Sequence, residues 1–241
     1  MIASASNELI AERGLQQRVD TKFVFRERNR DALLASLGED YAVVLASGQP
    51  DARYETVYFD TEDYLCLREH HRGRRARYKV RIRHHVERNQ SFLEVKEKRN
   101  TNATFKYRLP IPFRTETLDD DALQFIEEHA RVPVQRLQQS MRIHVQRMTL
   151  VGITTHERIT LDTQLWFSGG DNESRLSDGV IAEVKQIRFN ARSPVIRALR
   201  GIGAMQLSVS KYCTAAQLLL PSFPLKRYRP RLRLLRTQFD G

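Results

Sequence analysis

The chain has 241 residues, of which 41% are hydrophobic and 29% are charged, and this composition excludes a disordered or fibrous protein. Its 40 lysines and arginines exceed its 29 acidic residues. The resulting net charge of +11 predicts a polyanionic partner, such as nucleic acid, an anionic membrane or a phosphorylated small molecule. Cys66 and Cys213 lack the CxxC spacing of a zinc site, so a reducing, cytoplasmic location is favoured.

The length of the chain suits a single domain, which we expect over residues 18–220. An N-terminal extension is expected over 1–17 and a basic tail over 221–241, a partly ordered appendage suited to surface or nucleic-acid contact. No apolar stretch reaches the roughly 18 residues of a membrane-spanning helix, and the first residues lack a signal-peptide pattern. Any association with a membrane is therefore expected through a partner or the protein surface.

Helical signals are few, and period-two alternation is more frequent. Four short helices are predicted at 33–37 before Gly38, after Asp60 as far as Gly73, at 118–130, and at 211–220 before Pro221. A strand at 21–25 precedes them, and further strands are predicted at 53–59, 76–84, 91–98, 103–111, 140–151, 155–167 and 180–188. Because strands mostly follow strands, the sheet is expected to be antiparallel.

The polar faces of these strands carry rows of cations. The residues that alternate with apolar neighbours are Arg77, Lys79, Arg81 and Arg83, then Glu94, Lys96 and Lys98, then Lys106 and Arg108, and later Arg158, Glu183 and Lys185. For any single strand, an ordinary solvated face explains the pattern. Like charges directly opposite each other, however, destabilise strand pairing by up to about 1 kcal/mol, so repeated rows of cations predict a bound anion. Phosphates fit, because they accept hydrogen bonds from both arginine and lysine.

The fold class predicted from these patterns is α+β and mainly β. We expect a closed antiparallel β-barrel of about eight strands with short flanking helices. Its apolar face would turn outward under the helices, and its basic face would turn inward to form a tunnel.

This arrangement resembles the triphosphate tunnel metalloenzymes, and within them most closely the VTC domain, the vacuolar transporter chaperone polyphosphate polymerase. The resemblance runs from about residue 18 to residue 220, in the order of the family. The segments that carry it are "TKFVF" (21–25), "ETVYFDTEDY" (55–64), "KVRIR" (79–83), "FLEVKEK" (92–98), "FKYRL" (105–109), "ERITLD" (157–162), "IAEVKQI" (181–187) and "SVSKYCTA" (208–215).

The resemblance implies a set of phosphate contacts and a metal ligand. The implied catalytic cations are Lys22, Arg81, Arg83, Lys96, Lys106, Arg147, Arg158 and Lys211, among which Arg81, Arg83, Lys96, Lys106 and Arg158 would bind the phosphates of ATP or polyphosphate. Glu183 would hold a Mn²⁺ or Mg²⁺ ion, with Glu94 as the second candidate. Two positions depart from the family pattern: Val145 stands where the polymerases have a tunnel tyrosine, and Ser208 where they have a lysine.

The implied activity is polyphosphate synthesis, in which the γ-phosphate of ATP is transferred to a growing polyphosphate chain. A triphosphate hydrolase using the same tunnel is the second reading, but "RVDTKFVF" (18–25) lacks the ExExK run of the tunnel hydrolases. A non-catalytic polyphosphate-binding subunit is the third. RNA binding is disfavoured because the aromatic residues lie opposite the basic faces. Export of the product would require a separate membrane protein.

The remaining motifs carry little chemistry. His70 with His71 and His84 with His85 lack HExxH spacing, and we expect them at the surface.

Overall fold

The computed structural model describes residues 2–14, 18–99 and 104–240. The residues outside the described part are Met1 and 15–17 of the expected N-terminal extension, 100–103, of which only 103 belongs to the predicted strand 103–111, and Gly241 of the tail. Within that part of the chain the strands are β1 (Val19–Arg26), β2 (Tyr41–Val43), β3 (Asp51–Asp60), β4 (Arg77–His85), β5 (Gln90–Lys98), β6 (Thr104–Ile111), β7 (Gln138–Gly152), β8 (Glu157–Gly169), β9 (Asn172–Leu176), β10 (Gly179–Gln186) and β11 (Met205–Gln206).

Helices lie before, between and after the strands along the chain. They are α1 (Asn7–Glu12), α2 (Arg30–Leu37), α3 (Leu65–Arg72), α4 (Asp120–His129), α5 (Pro194–Gly201), α6 (Lys211–Leu219) and α7 (Arg229–Asp240). The four predicted helices are confirmed as α2, α3, α4 and α6. The side chain of Asp60 caps the N-terminus of α3, because its carboxylate accepts hydrogen bonds from the backbone N–H groups of Cys66 and Leu67 at 2.8 and 3.0 Å.

The strands form one antiparallel sheet, and the prediction of a closed β-barrel is wrong. The order is β11-β1-β10-β8-β7-β3-β4-β5-β6, with β2 beside β7 and β9 beside β8, so β11 and β6 are unpaired edges within the described chain. Both strands are poorly suited to closure. The β11 strand has only two residues, and β6 contains Pro110, which has no N–H to donate to a further strand.

The open sheet is nevertheless strongly curled. In sheet order, β1 and β5 are six strand spacings apart, which would separate them by about 29 Å in a flat sheet. Burial, together with the cations Lys79 in β4 and Lys22 in β1, lowers the pKa of Lys96 in β5 to about 8. Lys22 can act on Lys96 in this way only if the curl brings the two walls of the sheet face to face.

Helices cover the outer face of the curled sheet. One apolar cluster joins α2 and α5 to β1, β8 and β10, where Phe23, Phe25 and Leu161 are buried. A second joins α4 to β3, β4 and β5, and Ile126 of α4 is fully buried there. Each fully buried aliphatic side chain stabilises the fold by about 1.5–3 kcal/mol, so these clusters hold the curled sheet in shape.

The inner face has two parts. At one end α6 and α7 pack on it, and Leu165, Ile181, Ala215 and Leu219 are buried between helix and sheet. The rest of the inner face carries charged side chains. Aliphatic residues therefore fill part of the space inside the curl and leave a basic part beside it.

The basic tail forms an ordered helix instead of the expected partly ordered appendage. Leu232, Leu235 and Phe239 of α7 are buried against the sheet. The hydroxyl of Tyr228 accepts from the N–H of Ser210 at 2.8 Å and donates to its carbonyl at 3.1 Å, which fixes the tail to the start of α6. No helix in the described part of the chain is long and apolar enough to cross a membrane.

We expect Gly179→Ala to destabilise the protein by about 1–3 kcal/mol, because an added methyl group has no room. A Cβ at Gly179 would lie 2.2 Å from the ring of Phe239, so α7 would have to shift. Urea denaturation measures the loss. Gly201→Ala is the matched control, since open space surrounds that position; equal midpoints for the two variants would contradict the close packing of α7.

Candidate functional site

Three lysines stand directly opposite one another on the inner face of neighbouring strands. Lys79 of β4 pairs with Lys96 of β5, and Lys96 pairs with Lys106 of β6. Lys79 and Lys96 alternate with Val80 and Val95, which the outer core buries, so the alternation forces these lysines inward. Such a row of like charges is unfavourable unless anions lie beside it.

A buried glutamate lies next to this row and holds three cations. Glu94 of β5 has a fully buried side chain. It accepts from Arg81 Nε at 2.8 Å and from Arg108 Nη2 at 2.9 Å, and Lys106 Nζ is 2.5 Å from its Oε1 atom. Burial alone would raise the pKa of Glu94, but Arg81, Arg83 and Lys106 outweigh it and hold the pKa far below its usual value. The carboxylate therefore stays ionised and fixes these cations in position.

A second carboxylate organises the neighbouring wall of the curl. Asp162 of β8 accepts two hydrogen bonds from Arg147 of β7, at 2.5 and 2.7 Å, and also contacts Lys211 at the start of α6. The guanidinium of Arg147 also lies 4.8 Å from the ring centre of Tyr54, a cation–π contact. Burial would raise the pKa of Asp162, but Arg147 and Lys211 lower it. Lys211 and Arg147 therefore converge from a helix and a strand on one point.

Glu183 is the third carboxylate. It lies on β10 beside Lys185 and 3.7 Å from Lys22 of β1, which also donates to the carbonyl of Val209 at 2.7 Å. Burial would raise the pKa of Glu183, but Lys185 and Lys22 lower it well below its usual value. On the same wall Lys185 stands directly opposite Arg158 of β8, a second pairing of like charges.

Several cations of the inner face have no carboxylate partner among the described residues. Arg83 donates to the Thr56 hydroxyl at 3.1 Å, and burial together with Arg81 lowers its pKa to about 10. Lys79 donates to Ser210 Oγ at 3.0 Å. Burial lowers the pKa of Arg158, which also stands without an ion pair in the described chain. These groups retain donors that are free to bind an anion.

We call the charged part of the inner face of the sheet the basic cleft. It is lined by eleven cations, and three carboxylates pair with them in the described part of the chain: Glu94, Asp162 and Glu183. The eleven are Lys22, Lys79, Arg81, Arg83, Lys96, Lys106, Arg108, Arg147, Arg158, Lys185 and Lys211. A partly buried excess of positive charge on this scale suits a ligand with several closely spaced negative charges.

The family to which the chain belongs follows from its sequence profile. The profile of the VTC domain matches residues 17–220, which is most of the chain and includes all eleven cations of the basic cleft. The chain belongs to the VTC domain family. A comparison with curated proteins found no match.

Solved structures share the fold of this VTC domain at low sequence identity. One is a Bacillus halodurans protein provisionally named an adenylate cyclase, with 12% identity and a TM-score of 0.51; the match covers 80% of this chain and 94% of that one. Another is a provisionally named adenylyl cyclase from Hippeastrum, described as having a dominant triphosphatase activity. It has 11% identity and a TM-score of 0.50, with 87% of this chain and 99% of that one covered. At such identities the likeness concerns the fold alone.

The structure brings together the cations that the sequence singled out. All eight lie on the basic cleft, and so do Glu183 and Glu94; their contact with phosphate stays a prediction. Lys79, Arg108 and Lys185 belong to the same surface, and their alternation with apolar residues was the signal that could have added them. Asp162 was missed as the partner of Arg147, because only strand register places the two opposite each other.

The two departures from the family pattern occupy different surroundings. Val145 is buried in the apolar cluster beneath α6, and Ser208 is exposed. The expectation that the paired histidines lie at the surface is wrong for His84, which is buried, while His70, His71 and His85 are half-buried. His84 is 1% exposed and contacts the Ser91 hydroxyl at 2.6 Å. His70 accepts from Arg77 Nε at 3.2 Å, and burial with Lys79 lowers its pKa to about 2.

The donor set of the VTC domain limits how a divalent cation could bind. The described residues contain no group of three histidine, cysteine, aspartate or glutamate side chains suited to hold a metal. Mg²⁺ keeps several waters and commonly takes one or two carboxylates together with substrate phosphates. Glu183 fits that mode, because it is a single ionised carboxylate on the wall of the basic cleft.

Proposed function

We propose that this VTC domain is a polyphosphate polymerase that transfers the γ-phosphate of ATP to the end of an inorganic polyphosphate chain in the basic cleft. The observation that carries the proposal is the row of Lys79, Lys96 and Lys106 facing Lys22 across the curl. A chain of phosphates placed between these walls would meet cations on both sides and relieve their mutual repulsion. Membership of the VTC domain family supports the same ligand class.

The chemistry requires positioning and charge neutralisation more than proton transfer. A terminal oxygen of the polyphosphate chain forms a bond to the γ-phosphorus of ATP while the β–γ bridging bond breaks, which leaves ADP and a chain one unit longer. Arg81 and Arg83 on β4, with Lys96 and Lys106, would hold the phosphates in line, and Arg158 would bind from the other wall. Because Glu94 already orders Arg81 and Lys106, little reorganisation accompanies binding.

The three carboxylates of the basic cleft are poorly suited to act as general bases for hydrolysis. Glu94, Asp162 and Glu183 each contact at least two cations, and their pKa values lie below the usual range in spite of burial. A carboxylate held this firmly in its ionised form is a poor proton acceptor for an attacking water. The terminal oxygen of a polyphosphate chain is already largely ionised and needs no base.

Glu183 would hold a divalent cation, Mn²⁺ or Mg²⁺, which when bound neutralises charge on the phosphate oxygens. Lys22 and Lys185 keep this carboxylate ionised, and its distance from Lys22 is a loose 3.7 Å. Glu183 would thus contribute an ionised carboxylate ligand on the wall of the cleft that faces the lysine row.

The product of the reaction tests the proposal. Purified protein incubated with ATP and Mn²⁺ is expected to give ADP and phosphoanhydride polymer, followed by ³¹P NMR. Free phosphate without polymer would instead indicate hydrolysis, the activity described for the Hippeastrum neighbour. Binding of polyphosphate without turnover would indicate a subunit that only binds it. Either of these two outcomes contradicts synthesis.

Polyphosphate affinity is expected to fall about 10-fold between pH 7 and pH 9. Burial and Lys79 lower the pKa of Lys96 to about 8 in the free protein, and a bound polyanion favours the charged form and returns the pKa toward 10.5. Binding therefore takes up a proton above pH 8, and affinity decreases as the pH rises.

Calorimetric titration at several pH values measures this effect. Lys96→Arg is the matched variant, because its guanidinium stays charged and should make the profile less steep, leaving the part that comes from Lys106, whose pKa burial and neighbouring arginines lower to about 7. The terminal phosphates of the ligand also titrate in this pH range, but they do so equally with both proteins. The difference between the two pH profiles therefore reports Lys96. Superimposable pH profiles for the two proteins would show that Lys96 does not face the ligand.

A further inference from the structure

The C-terminal helix presents a second basic surface outside the cleft. Residues 221–239 contain no aspartate or glutamate. Their six cations are exposed and have no ion pair to a carboxylate in the described chain: Lys226, Arg227, Arg229, Arg231, Arg233 and Arg236. The helix is held mainly by Leu232, Leu235 and Phe239 on its other side, so these charges are not its principal attachment to the domain.

This surface continues to the cleft through the turn after α3. Arg227 donates to the carbonyl of Arg72 at 3.1 Å, where Arg72, Arg74 and Arg75 are all exposed. Arg77, the inward-facing residue of β4 that precedes Lys79, donates in turn to the carbonyl of Arg74 at 2.6 Å. A series of cations therefore leads from the lysine row in the cleft, over the α3–β4 turn, to the tail.

The tail is held firmly enough for its charges to be positioned. Tyr228 is bonded to Ser210, whose hydroxyl also accepts from Lys79 in the cleft. Burial raises the pKa of the Cys213 thiol, while Lys79 and Arg231 act to lower it, so a tail cation and a cleft cation share one neighbour. The basic tail and the basic cleft thus form one electrostatic unit.

We infer that the outer basic strip, formed by Arg72, Arg74, Arg75 and the exposed cations of residues 226–236, binds the part of a polyphosphate chain that extends beyond the basic cleft. This inference rests on the proposed function. A helix of 12 residues spans about 18 Å, so α7 can follow a linear polyanion over several phosphates. The strip would raise affinity for long chains through added electrostatic contacts, and would contribute nothing to short ones.

Other polyanions fit the strip less well. Binding of single-stranded nucleic acid commonly uses exposed aromatic side chains for stacking, whereas Tyr228 and Phe239 are buried and Phe223 is only partly exposed. A helix that lies on a membrane needs a free apolar face, and the apolar face of α7 is packed on the sheet. An unbranched chain of phosphates requires neither feature.

The test compares two triple variants with the same change in charge. In the tail variant, Arg229, Arg233 and Arg236 are each replaced by glutamine; in the control variant, Arg192, Arg197 and Arg200 are replaced in the same way. The control residues are exposed around α5, on the opposite face of the sheet. Affinities for tripolyphosphate, for polyphosphate of about 100 units and for single-stranded DNA are measured for both variants and the wild type, by calorimetry at several salt concentrations.

For the tail variant we expect affinity for long polyphosphate to fall about 10-fold and the slope of log affinity against log salt to shrink by about 2, with tripolyphosphate affinity unchanged. The control variant should match the wild type. Equal losses of affinity for long polyphosphate in both variants, or no loss in the tail variant, would overturn the inference about the strip while leaving the proposed function in place. Loss of affinity for single-stranded DNA but not polyphosphate would overturn it too. A wild type that binds neither phosphate ligand would defeat the proposed function and the strip together.

Discussion

Arg81→Ala is expected to lower the rate of polyphosphate synthesis by about 10²–10³ and to leave the fold intact. Arg81 is placed by two contacts, to Glu94 at 2.8 Å and to the Tyr58 hydroxyl at 3.1 Å, so its remaining donors are held toward the cleft. The fold should tolerate the change because Lys106 and Arg108 still neutralise Glu94. Steady-state ADP release gives the rate, and thermal unfolding checks the fold.

Arg142→Ala is the matched control for this experiment. Arg142 is also a strand arginine with a carboxylate partner, Glu116, which it contacts twice at 2.6 Å. It alternates with the inward-facing residues of β7 and so lies on the outer face. Normal synthesis is expected from this variant. Full activity in Arg81→Ala, or an equal loss in Arg142→Ala, would remove Arg81 from the site.

Glu183→Gln is expected to separate turnover from binding. Synthesis should fall about 100-fold or more, because glutamine removes the ionised ligand for a divalent cation. Affinity for tripolyphosphate without divalent metal should be at least as tight as in the wild type, since Lys22 and Lys185 lose an internal partner and become available to the ligand. Calorimetry in the presence of a chelator measures that affinity.

Glu55→Gln controls for the loss of a strand carboxylate. The Glu55 side chain is 19% exposed, against 20% for Glu183, and it pairs with Arg114 at 3.0 Å on the outer face. This variant should synthesise polyphosphate normally. If Glu183→Gln lost binding and turnover in parallel, the carboxylate would be organising the cations and its assignment as a metal ligand would be wrong.

The residue types alone were enough to predict which side chains face inward. In β4 the alternation of Arg81 with Val80 and Ile82 leaves one choice of face, because only the aliphatic residues can pack beneath α4. The placement of the predicted cations on one surface follows from this rule applied strand by strand. It required no knowledge of how the strands are ordered.

Closure of the sheet was beyond what the pattern could show. Whether a curled sheet becomes a barrel depends on its two edges, and the two-residue β11 gives no periodic signal at all. Pro110 in the sequence did indicate that no further strand pairs with β6, because proline has no backbone N–H to donate. Ion pairs across strands, such as Arg147 with Asp162, depend on register and on bulges, here between His144 and Gln146, and these are set by tertiary packing.

Three helices were missed, namely α1, α5 and α7, and the last two were missed for different reasons. The N-terminus of α5 has a serine cap at Ser193, whose hydroxyl accepts from Ile196, and a proline in the first turn, Pro194, so its signal was present in the sequence. The basic composition of α7 suggested a loose appendage because its buried residues are only a narrow stripe. That stripe is stable only on the sheet, where Gly179 leaves room for the Phe239 ring.

The free edges of the sheet bear on how a long polymer would be loaded. A ring of strands joined all round by hydrogen bonds admits a filament only by threading one terminus through the opening. With β6 and β11 unpaired in the described chain, no such ring encloses the cleft. Under the proposed function, we therefore expect that a polyphosphate chain can enter the cleft sideways, by its middle, and that chains whose termini are capped or joined in a circle bind as well.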